Sequence, residues 1–131
     1  MESRILIVDD EIDLLDTLVR LLGRLGYKWR AASSGADAIL ALEAEVPDLV
    51  VTDLHMPGTD GWAVVRHARQ YCPPIPVIVL TAYATSESHQ DIRQMGGTTY
   101  IAKPFANADL LNVVQRAVGH PPTSSDSPRS L

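Results

Sequence analysis

Asp9, Asp10, Asp53, Thr81 and Lys103 each stand where an apolar run stops, and their types belong to phosphate and metal chemistry. Ile5-Leu6-Ile7-Val8 leads into Asp9, Asp10 and Glu11, and Leu49-Val50-Val51-Thr52 leads into Asp53. Val77-Ile78-Val79-Leu80 leads into Thr81, and Tyr100-Ile101-Ala102 into Lys103, followed by Pro104. Three carboxylates brought together repel one another by roughly 3 kcal/mol per pair at ~5 Å and an effective dielectric of ~20. A cation relieves that repulsion. Oxygen-only donors with open positions suit a hard ion such as Mg²⁺, which keeps several waters. With Mg²⁺ and the Lys103 ammonium present, the formal charge of the pocket sums to zero, so it can accept a phosphoryl group that the metal-free pocket would repel. Asp53 is the candidate nucleophile, because carboxylates form acyl phosphates and such transfers depend on positioning and charge neutralisation. The Thr81 hydroxyl would donate to one phosphoryl oxygen and Lys103 would pair with another.

Those residues meet only if the runs carrying them lie side by side. Continuous apolar runs of four or five residues suit strands buried on both faces, as in a parallel sheet. In open parallel sheets the ligand crevice lies beyond the carboxyl ends of the strands. Helical periodicity fills the intervals. Residues 12–25 place Leu14, Leu18, Leu21, Leu22 and Leu25 toward a core, with Gly26 as a stop. Further helices are expected over residues 36–44, 62–71 (capped by Asp60, ended by Pro73-Pro74), 86–95 and 107–118. The helix over 86–95 is the most polar, and residues 27–32 make the remaining strand. Alternating strands and helices call for a doubly wound α/β fold with helices on both faces of a five-stranded parallel sheet.

The bulk properties agree. The chain has 131 residues, 46% hydrophobic and 21% charged, enough for one globular domain. The expected domain spans 1–119, and Pro121 to Pro128 has nothing to bury, so 120–131 reads as a disordered tail or the start of a linker. No run approaches a membrane span, and the formal charge of −5 argues against direct nucleic-acid binding. Cys72 is the only cysteine, which excludes an internal disulfide and fits a cytoplasmic protein. His67, His89 and His120 are scattered and expected to be exposed; Met56 and Met95 are expected to pack, and Trp29 and Trp62 to anchor core or surface.

The motifs together closely resemble the receiver domain of two-component response regulators, over about residues 3 to 118. The match rests on Asp9-Asp10, on Asp53-Leu54-His55-Met56-Pro57-Gly58-Thr59-Asp60-Gly61, on Thr81-Ala82 and on Tyr100-Ile101-Ala102-Lys103-Pro104-Phe105. The resemblance implies the flavodoxin-like strand order 2-1-3-4-5. It implies phosphorylation of Asp53 by a sensor histidine kinase or histidine phosphotransfer protein. It implies Mg²⁺ bound by Asp10, Asp53 and the His55 backbone carbonyl, with Asp9 acting through water. Thr81 and Tyr100 would form a switch pair, Lys103 would contact the phosphoryl group through a loop with a cis Lys103-Pro104 bond, and the fourth helix, fifth strand and fifth helix would face an effector. Such a domain is a switch that catalyses its own phosphorylation and dephosphorylation without turning over an external substrate. His55 and Tyr83 flank the water approach in this resemblance, and their bulk implies slow loss of the phosphoryl group. The first helix, through Leu15, Val19 and Leu22, would dock the kinase.

A haloacid dehalogenase-type phosphohydrolase also uses a strand-end Asp with Thr, Lys and Mg²⁺. It needs a second Asp two residues after the nucleophile, where this chain has His55. A dinucleotide-binding module needs a glycine-rich turn after the first strand, where Asp9-Asp10-Glu11 stands. An EF-hand loop fails at its glycine position, which is Leu14.

Overall fold

Apolar runs that cannot face water on either side need a helical layer above and below, and this requirement sets the architecture. The structure is a computed structural model and describes residues 3–54, 56, 58, 61–71, 73–81 and 98–118. Strands β1 (Arg4–Val8), β2 (Lys28–Ala32), β3 (Leu49–Asp53), β4 (Val77–Thr81) and β5 (Thr98–Ala102) are joined by helices α1 (Ile12–Arg24), α2 (Gly35–Ala44), α3 (Gly61–Arg69) and α4 (Asn107–Val118). The helix expected over 86–95 lies outside the described residues, so α4 is the fifth helix of the sequence reading. The strands pair in parallel in the order β2-β1-β3-β4-β5, as the resemblance implied.

Period-two alternation sends successive strand residues to opposite layers. Ile5, Ile7, Leu49, Val51, Ile78 and Leu80 pack with Leu15, Leu18 and Leu22 of α1 and with Leu110 and Val114 of α4. Leu6, Val8, Val50, Val77 and Val79 pack with Ala38 and Leu42 of α2 and with Val64, Val65 and Ala68 of α3. β3 and β4 are buried at every position, whereas β2 and β5 are edge strands with exposed positions. α1 stops where Leu25 caps it and Gly26 takes φ 95°, a left-handed value that suits glycine. α2 begins at Gly35 because Ser34 Oγ accepts the Asp37 N–H at 3.1 Å. The Lys103-Pro104 bond is cis.

Two expectations need correction. α1 buries Leu15, Leu18 and Leu22, while Leu14, Val19, Leu21 and Leu25 are half-buried. Apolar residues cover so much of this helix that spacing alone does not fix its phase; the contacts with the sheet and α4 do. Leu15 and Leu22 are therefore core residues and unavailable for docking, and Leu14 takes the outward position. His67 is half-buried rather than exposed, edge-on to the Tyr71 ring at 6.0 Å and 3.5 Å from Glu43. Met56 is buried and Trp62 partly buried against the α2–α3 layer, as expected for packing residues, and Trp29 is half-exposed. Asp60, Cys72, Ala82, His89, Met95 and His120 lie outside the described residues.

Candidate functional site

The sheet brings the three strongest site residues together by simple counting. Asp9 follows Ile7 by two residues, Asp53 follows Val51 by two and Lys103 follows Ile101 by two, and all three anchors belong to the core layer under α1 and α4. Alternation therefore turns all three side chains to the same side at the carboxyl edge. Ladder-like bonds continue just past the strands: Asp9 N–H donates to the Ala32 carbonyl at 3.1 Å, Leu54 N–H to Leu80 at 3.0 Å and Lys103 N–H to Thr81 at 2.8 Å. These bonds tie the site to the sheet.

Lys103 Nζ lies 3.2 Å from Asp53 Oδ1, 3.4 Å from Asp9 Oδ2 and 3.7 Å from Glu11 Oε1. Asp53 Oδ1 also accepts the Leu54 N–H at 3.0 Å, and Asp9 Oδ1 accepts the Glu11 N–H at 2.9 Å. Among the described residues, both bonds to the Asp53 carboxylate fall on Oδ1. Asp9 and Thr81 are fully buried and Asp53 nearly so, whereas Asp10 is half-buried and Glu11 exposed. Burial pushes the Asp9 carboxyl above its ordinary value, and the Asp53 charge adds to that rise, outweighing the Glu11 N–H and Lys103. Burial alone would lower the Lys103 ammonium, but Asp9 and Asp53 together raise it above its ordinary value. Lys103 is thus held charged among carboxylates.

Oxygens of Asp9, Asp10 and Asp53 all lie within 4.8 Å of one another. Their donor set is all oxygen, and one of the three carboxylates has a raised pKa, which is the condition a hard divalent cation relieves. The residues fit Mg²⁺. Thr81 and Tyr100 share the other sheet face: Tyr100 stands opposite Val79, whose face-mate two residues on is Thr81. The two are one diagonal step apart, with Tyr100 packed partly against the α2–α3 core. The structure thus brings Asp9, Asp10, Asp53 and Lys103 together, with Thr81 at the neighbouring strand end. His55 and Tyr83 lie outside the described residues.

Two contributors escaped the sequence reading as site residues. Glu11 reaches Lys103, and its position directly after Asp9-Asp10 was the available signal. Gly61 opens α3 against the end of β3, where its N–H donates to the Leu54 carbonyl at 3.0 Å. A Cβ there would overlap the Asp53 carbonyl oxygen and lie 2.7 Å from Leu54 Cα. Only contact across the fold reveals that constraint.

The family model described as response regulator receiver domain matches residues 5–115. Sporulation initiation phosphotransferase F of Bacillus subtilis (strain 168) is 32% identical over 116 residues, 88% of this chain and 94% of that protein. The DNA-binding transcriptional regulator NtrC of Escherichia coli (strain K12) is 32% identical over 114 residues, covering 87% of this chain and 24% of that regulator. The chain thus spans about a quarter of the length of NtrC. A solved receiver domain of the sensor histidine kinase PA1611 from Pseudomonas aeruginosa PAO1 has a magnesium ion coordinated in its active site cleft. It is 30% identical with a TM-score of 0.79, covering 91% of this chain and 99% of that one. Vibrio cholerae chemotaxis protein CheY4 superposes with a TM-score of 0.82 at 27% identity, covering 89% of this chain and 99% of that one.

Proposed function

The chain belongs to the response regulator receiver domain family, and on that premise we propose that Asp53 accepts a phosphoryl group from a phosphohistidine. The histidine belongs to a sensor kinase or a histidine phosphotransfer protein. The observation that carries this reading is the asymmetric hold on Asp53. Among the described residues Leu54 N–H and Lys103 Nζ both engage Oδ1, which favours Oδ2 as the attacking oxygen. Attack forms the Oδ2–phosphorus bond and breaks the phosphorus–nitrogen bond, whose electron pair returns to the imidazole. The donor histidine then takes up a proton. Lys103 moves its ammonium from Asp53 to a phosphoryl oxygen, and the Thr81 hydroxyl donates to another. Asp10, Asp53 and the His55 backbone carbonyl, with Asp9 through water, would hold Mg²⁺, which would supply the charge neutralisation that Lys103 alone cannot. The haloacid dehalogenase alternative gives way to the family assignment.

Thr81 and Tyr100 supply the switch in this reading. Their common sheet face supports it, since a Thr81 that turns toward phosphate leaves room on that face for the Tyr100 ring. The output is a partner or effector domain bound through β5, α4 and the segment between β4 and β5. The assignment of His55 and Tyr83 as residues that hinder in-line water, giving a long-lived phosphoryl group, rests on the sequence.

Incubation with acetyl phosphate and Mg²⁺ should add one phosphoryl group by intact mass. Asp53→Ala and EDTA should each abolish the adduct. Undiminished labelling of Asp53→Ala would overturn the assignment.

A further inference from the structure

The open edge of the sheet at β2 has features that phosphoryl transfer does not use. β2 ends the strand order, and Lys28, Trp29, Arg30 and Ala31 are all exposed. The Lys28 N–H donates to the Ser3 carbonyl at 3.0 Å and the Ala32 carbonyl accepts the Asp9 N–H at 3.1 Å. By alternation Lys28, Arg30 and Ala32 bond inward to β1, and Trp29 and Ala31 present their N–H and C=O groups at the open edge. Beneath the edge, between β2 and α2, lies a cavity of about 250 Å³ lined by Arg4, Leu6, Lys28, Arg30, Ala41 and Glu45 among others. Arg4 is paired with Glu45, whereas Arg30 has no ion pair with any described residue. On the opposite face Trp29 lies against Gly23 of α1 and remains 48% exposed.

Charged residues on an edge strand ordinarily deter unwanted pairing. That accounts for Lys28 and Arg30, but not for an exposed tryptophan on one face and a cavity beside Arg30 on the other. We propose that the β2 edge is a docking site for an extended acidic segment of another protein, which adds to the sheet as a sixth strand. The four outward main-chain groups of Trp29 and Ala31 supply the ladder. Lys28 and Arg30 stand two residues apart on one face, so they meet acidic side chains at alternate positions of the incoming strand. The residue between those acids falls on the other face, over the Trp29 ring, and is apolar. The cavity, smaller than a typical cofactor pocket, has room for one such acidic side chain beside Arg30. Charge selects this occupant over a second copy of the chain, because isologous β2–β2 pairing would set Lys28 and Arg30 against their own counterparts.

The test uses the 131-residue chain and an end-blocked peptide of alternating glutamate and valine, followed by Trp29 emission and amide chemical shifts. Shifts should centre on Trp29 and Ala31. Arg30→Glu should weaken binding by about tenfold, because it turns an attractive cross-strand pair into a repulsive one. Ala31→Pro removes an outward N–H without touching the β1 ladder and should weaken binding as well. Arg30→Glu keeps the test decisive if the proline variant does not fold. A lysine–valine peptide should not bind the wild type. The proposal fails if shifts lie away from β2 or if Arg30→Glu binds normally. It fails equally if an oligonucleotide binds as well as the peptide, or if a folded Ala31→Pro binds like wild type, since both mark a general anion patch. Self-association in sedimentation that Ala31→Pro abolishes and Arg30→Glu does not would instead assign the edge to a second copy and overturn the proposal. Loss of Asp53 labelling leaves all of these readouts unchanged, so the two proposals fail separately.

Discussion

Asp9 is the residue whose chemistry is least at ease with its position. Its carboxylate is fully buried, beside Asp53 and Lys103, and burial raises its pKa in the folded chain. A raised folded value means that the group contributes stability fully below its ordinary value of 3.8 and loses that contribution as pH rises through the folded value. Asp9→Asn removes the charge and keeps the shape. In EDTA the variant should melt higher than wild type at pH 7, by a few degrees, which corresponds to about 1 kcal/mol in a domain of this size. The gap should widen between pH 4 and 7; a constant gap would show that ionised Asp9 carries no folding cost. The position of Asp9, Asp53 and Lys103 at one edge was legible in the sequence, because each follows a continuous apolar run and strand alternation does the rest. The contact of Glu11 with Lys103 was not, since it depends on how an exposed side chain turns after the strand has ended.

At the scale of elements, what the sequence conceals is phase and close approach. α1 carries leucine or valine at 14, 15, 18, 19, 21, 22 and 25, so several faces are apolar enough to be buried. The structure buries the stripe of Leu15, Leu18 and Leu22 and leaves Leu14 beside Thr17, Lys103, Pro104 and Phe105, around a largely apolar cavity of about 430 Å³. That cavity adjoins Lys103 of the candidate site, and under the proposed function it is where the helical bundle of a histidine kinase would dock. Leu14→Lys should therefore slow transfer from the kinase several-fold, with acetyl phosphate labelling retained. Leu15→Lys should instead cost several kcal/mol of stability, since it places a charge in the core. Equal loss from both donors in Leu14→Lys would reject the docking role. The start of α3 makes the same point about approach. Gly61→Ala sets a methyl group into the Asp53 carbonyl oxygen, so the backbone carrying Asp53 must move. We expect destabilisation of about 1–3 kcal/mol by urea titration, together with slower labelling in the fraction that remains folded. Wild-type behaviour in both assays would show that α3 can shift without disturbing Asp53.

For the whole molecule, the site and the sheet are one mechanical unit, so a cation held by the acidic cluster would be coupled to global stability. The acidic cluster draws its carboxylates from just past β1 and from the end of β3, strands that pair directly at the centre of the sheet. Unfolding separates these residues, so a cation that needs all of them binds only the folded state. Mass action then stabilises the domain by about 2.7 kcal/mol when free Mg²⁺ is a hundred times its dissociation constant. For a domain of this size that is roughly a 10 °C rise in Tm. Calorimetry with increasing Mg²⁺ at constant ionic strength should show such a rise, and Asp10→Asn should remove most of it. The control matters because a chain of formal charge −5 gains some stability from any cation by screening. Screening would act equally on Asp10→Asn, and it would appear with monovalent salt. A Tm that climbs identically in wild type and Asp10→Asn would mean that the carboxylates do not form a metal site. A rise confined to the intact cluster would place the energy that drives phosphoryl chemistry and the energy that holds β1 against β3 in the same set of oxygens.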